Sequence, residues 1–197
     1  FIYDIFLSLF ALMISFPFLI IICAILKFTG EGEIFFLQER VGRHGKIFFV
    51  YKFATMLKNS PSLGAKYITL KDDPRVLPFG KFLRKSKLNE IPQLFNVLKG
   101  EMSLIGPRPL TQDSLANYSA NEKELIFSNR PGLSGIGSII FSDEENMLFS
   151  NDSENIYKTV ITPFKQDLEI WFKNNNNFFV YFSLILITLV IIIFPNK

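Results

Sequence analysis

The chain has 197 residues, of which 49% are apolar and 20% charged, and its mean hydropathy is +0.27. That is too apolar for an ordinary soluble domain and too charged for a bundle of many membrane spans, so a small membrane-associated protein with one folded domain is expected. A single cysteine, Cys23, and a single histidine, His44, exclude a disulfide framework, a thiolate metal cluster and a His-rich zinc site, and argue against a Ser/His/Asp triad. His44 reads as a polar turn residue, and because the numbering opens on Phe1, a short preceding segment is expected.

The net charge of +3 hides an asymmetry: residues 27–110 hold 15 Lys and Arg against 7 Asp and Glu, whereas the rest of the chain is net acidic. A basic middle suits anionic lipid head groups or a phosphorylated substrate. No nucleic-acid partner is expected, since the basic residues are not interleaved with stacking aromatics on a soluble face.

In chain order, residues 5–26 carry no charge. As a helix they reach about 33 Å, enough for a hydrocarbon core of about 30 Å. Pro17 removes a backbone hydrogen bond near the middle of this run, which predicts a bend with Ser15 as the compensating hydroxyl; a re-entrant path and a kinked span both fit the run by itself. Residues 33–38 and 46–52, rich in aromatic and β-branched side chains, flank Gly42 and Gly45 and predict a β-hairpin. An amphipathic basic helix is predicted over 79–88, with Phe82, Leu83 and Leu88, and helical spacing resumes over 91–98 with Pro92 near its start. Gly-Pro-Arg-Pro at 106–109 predicts a rigid irregular loop, and further helices are predicted over 115–129 and 155–173, the second with Phe164, Leu168 and Trp171 on one face.

Four asparagines at 174–177 form a polar break before a second charge-free run, 178–194, predicted to be a membrane-embedded helix because it lacks a polar face. The positive-inside bias then places residues 27–110 in the cytoplasm. The expected units are a membrane helix over 1–28, a catalytic domain over 29–173 and a membrane-associated helix over 174–197.

Three motifs carry a family resemblance. Residues 83–110, LRKSKLNEIPQLFNVLKGEMSLIGPRPL, resemble the catalytic region of bacterial sugar transferases of the monotopic phosphoglycosyl transferase family. Residues 38–56, QERVGRHGKIFFVYKFATM, are similar to that family's hairpin ending in Tyr-Lys-Phe-x-Thr-Met, and residues 129–135, NRPGLSG, to its Arg-Pro-Gly-x-x-Gly loop. The resemblance implies a mainly α fold with a small β-hairpin, a re-entrant N-terminal helix bent at Pro17, and a cytosolic catalytic domain at the bacterial inner membrane. It implies transfer of a phosphosugar from a UDP-sugar to polyprenyl phosphate, releasing UMP, with Mg²⁺. UDP-sugar, polyprenyl phosphate and membrane lipids are the implied partners, with a homodimer left open.

By the same resemblance Arg84, Arg108 and Arg130 are expected to hold phosphate and nucleotide, a task suited to the planar guanidinium. Pro107 and Gly132 belong to the loops that bind the substrate. The sequence departs from the family at one place: the usual Asp-Glu pair, whose Asp attacks the β-phosphate, is here Asn89-Glu90. An amide is a poor nucleophile and a weaker metal ligand than a carboxylate. Four readings follow: Glu90 takes over, an acidic residue such as Asp143 enters from the Ser-Asp-Glu-Glu stretch at 142–145, transfer is direct, or the chain is an inactive member that binds UDP-sugar or polyprenyl phosphate. The expectation is that Glu90 carries the essential carboxylate, with Asn89 positioning substrate or Mg²⁺ through its amide oxygen.

Overall fold

A computed structural model describes residues 2–60, 73–115, 118, 123–124, 127–142 and 157–194. Asp143 and most of the helix expected over 115–129 lie outside the described residues.

Helix α1 (Ile2–Phe28) runs unbroken through Pro17, which makes it about 40 Å long. The Ser15 hydroxyl donates to the Ala11 carbonyl at 2.7 Å, not to the Met13 carbonyl whose usual donor the Pro17 ring removes. Asp4, Ser8 and Leu12, spaced by four, form a buried stripe with Ile22 and Leu26 further along. Much of the rest of α1 is apolar and exposed, including Phe6, Phe10, Phe16 and Phe18.

Strands β1 (Phe35–Val41) and β2 (Ile47–Phe53) pair antiparallel, with Phe35 opposite Phe53 and Val41 opposite Ile47. The expected hairpin is present. Its turn places His44 at φ 58° and Gly45 at φ 72°, the left-handed region that glycine enters without a Cβ penalty. In β2, Phe48 and Val50 face the core, and the two-residue period puts Lys52 on that same face.

Helix α2 (Pro78–Lys85) is shorter than the helix expected over 79–88. Lys87 takes a left-handed conformation, φ 57°, and breaks it before a 3₁₀ turn over Leu88–Gln93, which contains Pro92 and feeds α3 (Leu94–Leu98). A parallel pair, β3 (Ser103–Ile105) and β4 (Gly132–Ser134), is an element the sequence did not suggest. The two chains approach so closely that a Cβ on Gly132 would sit 2.2 Å from the Gly106 nitrogen.

Short helices α4 (Gln112–Leu115) and α5 (Ile136–Ile140), a π turn over Tyr157–Ile161, α6 (Thr162–Asn175) and α7 (Phe178–Ile193) complete the described elements. Phe164, Leu168 and Trp171 share one face of α6 as their spacing predicts, but Phe164 and Trp171 are about half exposed, and Thr162, Gln166 and Phe172 are the buried residues of this helix. The asparagine break is short, since α6 reaches Asn175 and the Asn177 side chain accepts the Val180 N–H at 3.1 Å to cap α7. Helix α7 is not free of the domain. Leu184, with Val180, Tyr181 and Ile185, packs on Ile105 and Phe172, while Phe179, Leu186 and Val190 stay exposed.

Polar groups lock the packing. Asp4, 2% exposed, accepts from the Ser103 hydroxyl at 2.6 Å and from the Tyr181 hydroxyl, whose oxygen accepts the Ile105 N–H at 3.2 Å, so α1, β3 and α7 share one knot. Asn96, fully buried, accepts the Tyr51 N–H at 3.1 Å and donates to the Phe49 carbonyl and the Glu101 carboxylate, both at 2.7 Å. Asn96→Ala leaves three part-buried groups without their partner and a void in the core, a loss of about 3 kcal/mol. Thermal unfolding of the detergent-solubilised chain should show a midpoint lower by about 6–12 °C, and an unchanged midpoint would contradict this role.

Candidate active site

The functional side chains line one open cleft of about 2040 Å³. Its lining is of two kinds. Lys52, Arg84, Lys87 and Arg108 bring positive charge around Asn89 and Glu90, while α1 contributes Leu7, Phe10 and Ile14 and α7 contributes Ile185, Leu189 and Ile192.

At the cationic part, the Lys52 ammonium and the Glu90 carboxylate form an ion pair at 3.0 Å, their side chains 19% and 27% exposed. Burial alone would push the Glu90 carboxyl up, but the charges of Lys52, Arg108 and Lys87 outweigh it and bring it down to about 2. Burial pulls the Lys52 ammonium below the usual lysine range, opposed by Glu90 and reinforced by the like charges of Arg108 and Arg40. Glu90 is therefore ionised at any physiological pH. Its neighbour Asn89 is 7% exposed, and its amide oxygen is buried without a partner among the described residues. In a 3₁₀ turn successive residues are about 120° apart, so the two side chains leave the turn in different directions and yet both line the cleft.

The other expected residues divide. Arg108 lies in the cleft close enough to act on both Lys52 and Glu90. Arg84 also lines it, with one guanidinium nitrogen 3.9 Å from the Met56 sulfur. Pro107 lines it and its carbonyl accepts the Gly132 N–H at 2.8 Å. Arg130 and Gly132 are not lining residues: Arg130 donates to the Gly100 carbonyl at 2.9 Å, and Gly132 permits the tight β3–β4 approach. Ser15 and Pro17 lie on α1 away from the lining.

Lys52 and Glu169 are among the lining residues that went unassigned at the level of sequence. Lys52 sits in the Tyr-Lys-Phe-x-Thr-Met motif, and the alternation Phe48, Val50, Lys52 marks it as inward-facing. Glu169, on α6, also reaches the cleft, and no local pattern marks it. Asp73 also borders the cleft but is committed to Arg75, whose Nε and Nη2 it receives at 2.9 and 2.6 Å in a buried pair.

A cationic cleft flanked by two apolar helices is the architecture of a membrane-associated protein. Within that class the chain belongs to the bacterial sugar transferase family, whose sequence profile matches residues 1–195. It is 36% identical over 151 residues to the exopolysaccharide production protein ExoY of Sinorhizobium fredii, covering 70% of this chain and 66% of that protein. Identity is 34% over 194 residues to the undecaprenyl-phosphate galactose phosphotransferase of Salmonella typhimurium, covering 84% of this chain and 40% of that protein. It is 36% over 139 residues to the UDP-N-acetylgalactosamine-undecaprenyl-phosphate N-acetylgalactosaminephosphotransferase of Aeromonas hydrophila, covering 70% and 33%. The chain thus spans between a third and two thirds of the length of these relatives.

The ion pair has a pH signature. The folded Glu90 pKa, about 2, lies below the unfolded value of about 4.3, so the stability it contributes is fully present above the unfolded value and is lost as pH falls through the folded one. Between about pH 5 and pH 2 the unfolding midpoint of the wild type should fall more steeply than that of Glu90→Gln. Parallel curves would show that the pair does not hold the carboxyl down.

Proposed function

We propose that the protein transfers a phosphosugar from a UDP-sugar to polyprenyl phosphate and releases UMP, at the cytosolic face of a bacterial inner membrane. The observation that carries this reading is Glu90, an ionised carboxylate held by Lys52 beside Arg108 in a cleft that α1 and α7 also line with apolar side chains. The two phosphotransferase relatives are named for undecaprenyl phosphate, and one of them for a UDP-sugar.

In this mechanism a Glu90 oxygen attacks the β-phosphorus of the UDP-sugar. A new P–O bond forms, the bridging P–O bond breaks, and UMP leaves with its electron pair. An oxygen of polyprenyl phosphate then attacks the same phosphorus and returns the free carboxylate. Arg108 and Lys52 offset the charge that gathers on the phosphoryl oxygens, which is where protein electrostatics contribute most to phosphoryl transfer. Mg²⁺ would be held by the Asn89 amide oxygen, buried without a partner among the described residues, or by a Glu90 oxygen, with phosphate oxygens and water completing its shell. When bound, it would neutralise pyrophosphate charge.

The topology has its own support. Asp4 and the Ile22–Leu26 turn are both tied to the same domain, through Ser103 and Tyr181 at one end and Phe53 and Leu83 at the other. A straight crossing of about 40 Å would put those ends on opposite sides of the bilayer. In the proposed monotopic seating, α1 enters and returns on one side, α7 adds its exposed apolar face to the same leaflet, and the Lys- and Arg-rich residues 27–110 stay cytosolic.

The test is UMP release by the full chain from UDP-sugars with polyprenyl phosphate and Mg²⁺. Glu90→Gln should lower the rate by at least about three powers of ten, while Asn89→Asp should change it by a modest factor. Activity in Asn89→Asp alone would identify the natural chain as an inactive, ligand-holding member of its family.

A further inference from the structure

Glu169 reaches from α6 over the turn that follows β4. Its Oε1 accepts the Gly137 N–H and lies 3.2 Å from the place a Cβ on Gly137 would occupy and 3.7 Å from that of Gly135, so two glycines let the carboxyl settle against the backbone. Its Oε2 is buried and has no partner among the described residues. Ser134, Ser138 and Lys165 line the cleft together with it.

This wall adjoins the phosphate-gripping part. The Gly106 N–H donates to the Ser134 carbonyl at 2.9 Å, and the Cβ position of Gly135 lies 2.2 Å from the Gly106 carbonyl oxygen. From Gly106 the chain continues through Pro107 to Arg108. Arg108 and Gly137, the backbone partner of Glu169, therefore follow the same end of the parallel β3–β4 pair, each three residues beyond its strand.

A carboxyl oxygen with no donor repels phosphate and attracts hydroxyl groups, and a buried polar group left unpaired is costly to keep. A UDP-sugar whose β-phosphate meets Arg108 carries its sugar hydroxyls directly beyond that phosphate. We propose that Glu169, with Ser138 beside it, binds a hydroxyl of the donor's sugar and thereby sets which UDP-sugar is accepted; this inference rests on the transferase reading above. Burial pushes the Glu169 carboxyl up to about 7, against the opposing pull of Lys165 and of the Gly137 N–H. Near neutral pH both of its forms are populated, so it can accept from a hydroxyl when ionised and donate to one when protonated.

The experiment compares kcat/KM for UDP-glucose, UDP-galactose, UDP-N-acetylglucosamine and UDP-N-acetylgalactosamine in the full chain, read as UMP release. In Glu169→Gln the preference between the best donor and its C4 epimer should shift by about ten- to hundredfold. The shift should come through the donor KM, with the KM for polyprenyl phosphate unchanged. Glu169→Asp, which withdraws the carboxyl by one carbon and keeps its chemistry, should shift the same ratio and decides the matter if Glu169→Gln does not fold. An equal loss for all four donors, or loss of the folded state in both variants, would overturn the inference by making Glu169 structural. Absence of UMP release from the wild type with every donor would overturn the transferase reading, and this inference with it.

Discussion

The Lys52–Glu90 ion pair sets the conditions for everything around it. The half-buried Glu90 carboxylate is held ionised by the cation beside it, and Lys52 is fixed because β2 carries it at the end of an inward-facing row. A slip of one residue in the hairpin would turn Lys52 outward. Asn96 guards against that slip by bonding backbone groups of Phe49 and Tyr51 on the same strand. From the other side, the left-handed Lys87 ends α2 and lets the chain tighten into the 3₁₀ turn that offers Asn89 and Glu90 to one cleft.

The membrane-facing parts are coupled to this pair through very little chain. Asp4 is buried in an otherwise apolar helix, and the Ser103 and Tyr181 hydroxyls make its burial tolerable. The same knot fixes the start of β3, and β3 leads within three residues to the Pro107–Arg108 segment. Outside the knot, α1 and α7 leave large apolar side chains uncovered, Phe179 at 80% and Phe18 at 64%, which is the surface expected where a protein meets lipid. Seating in the bilayer and the shape of the cationic cleft are in this way parts of one arrangement.

Legibility in the sequence followed the range of the interactions. The hairpin was readable because its two-residue period and its glycines are local signals, and α1 and α7 because their composition alone marks them. Asn89, Glu90, Pro107 and Arg108 were found through motifs, and the cleft brings them together. Arg130 and Gly132 came with the same motifs, but they brace backbone, since no motif distinguishes a lining residue from the one that shapes the lining. The β3–β4 pair escaped because three-residue strands far apart in sequence carry no periodicity. On α6 the shared face of Phe164, Leu168 and Trp171 was readable from spacing, but spacing did not show that Thr162, Gln166 and Phe172 are the residues buried against the domain. Glu169 gave no local sign, because its burial comes from glycines thirty residues earlier.

Whether Glu90 takes the nucleophile's place that the resemblance assigns to an Asp is decided by trapping the intermediate. The full chain is mixed with a UDP-sugar and Mg²⁺ without polyprenyl phosphate, quenched, digested and analysed by mass spectrometry. UMP should be released by the enzyme alone, and a phosphosugar mass should appear on the peptide that contains Glu90 and disappear when polyprenyl phosphate is added. An adduct on the peptide containing Asp143, or UMP that appears only with polyprenyl phosphate and leaves no adduct, would contradict this role of Glu90.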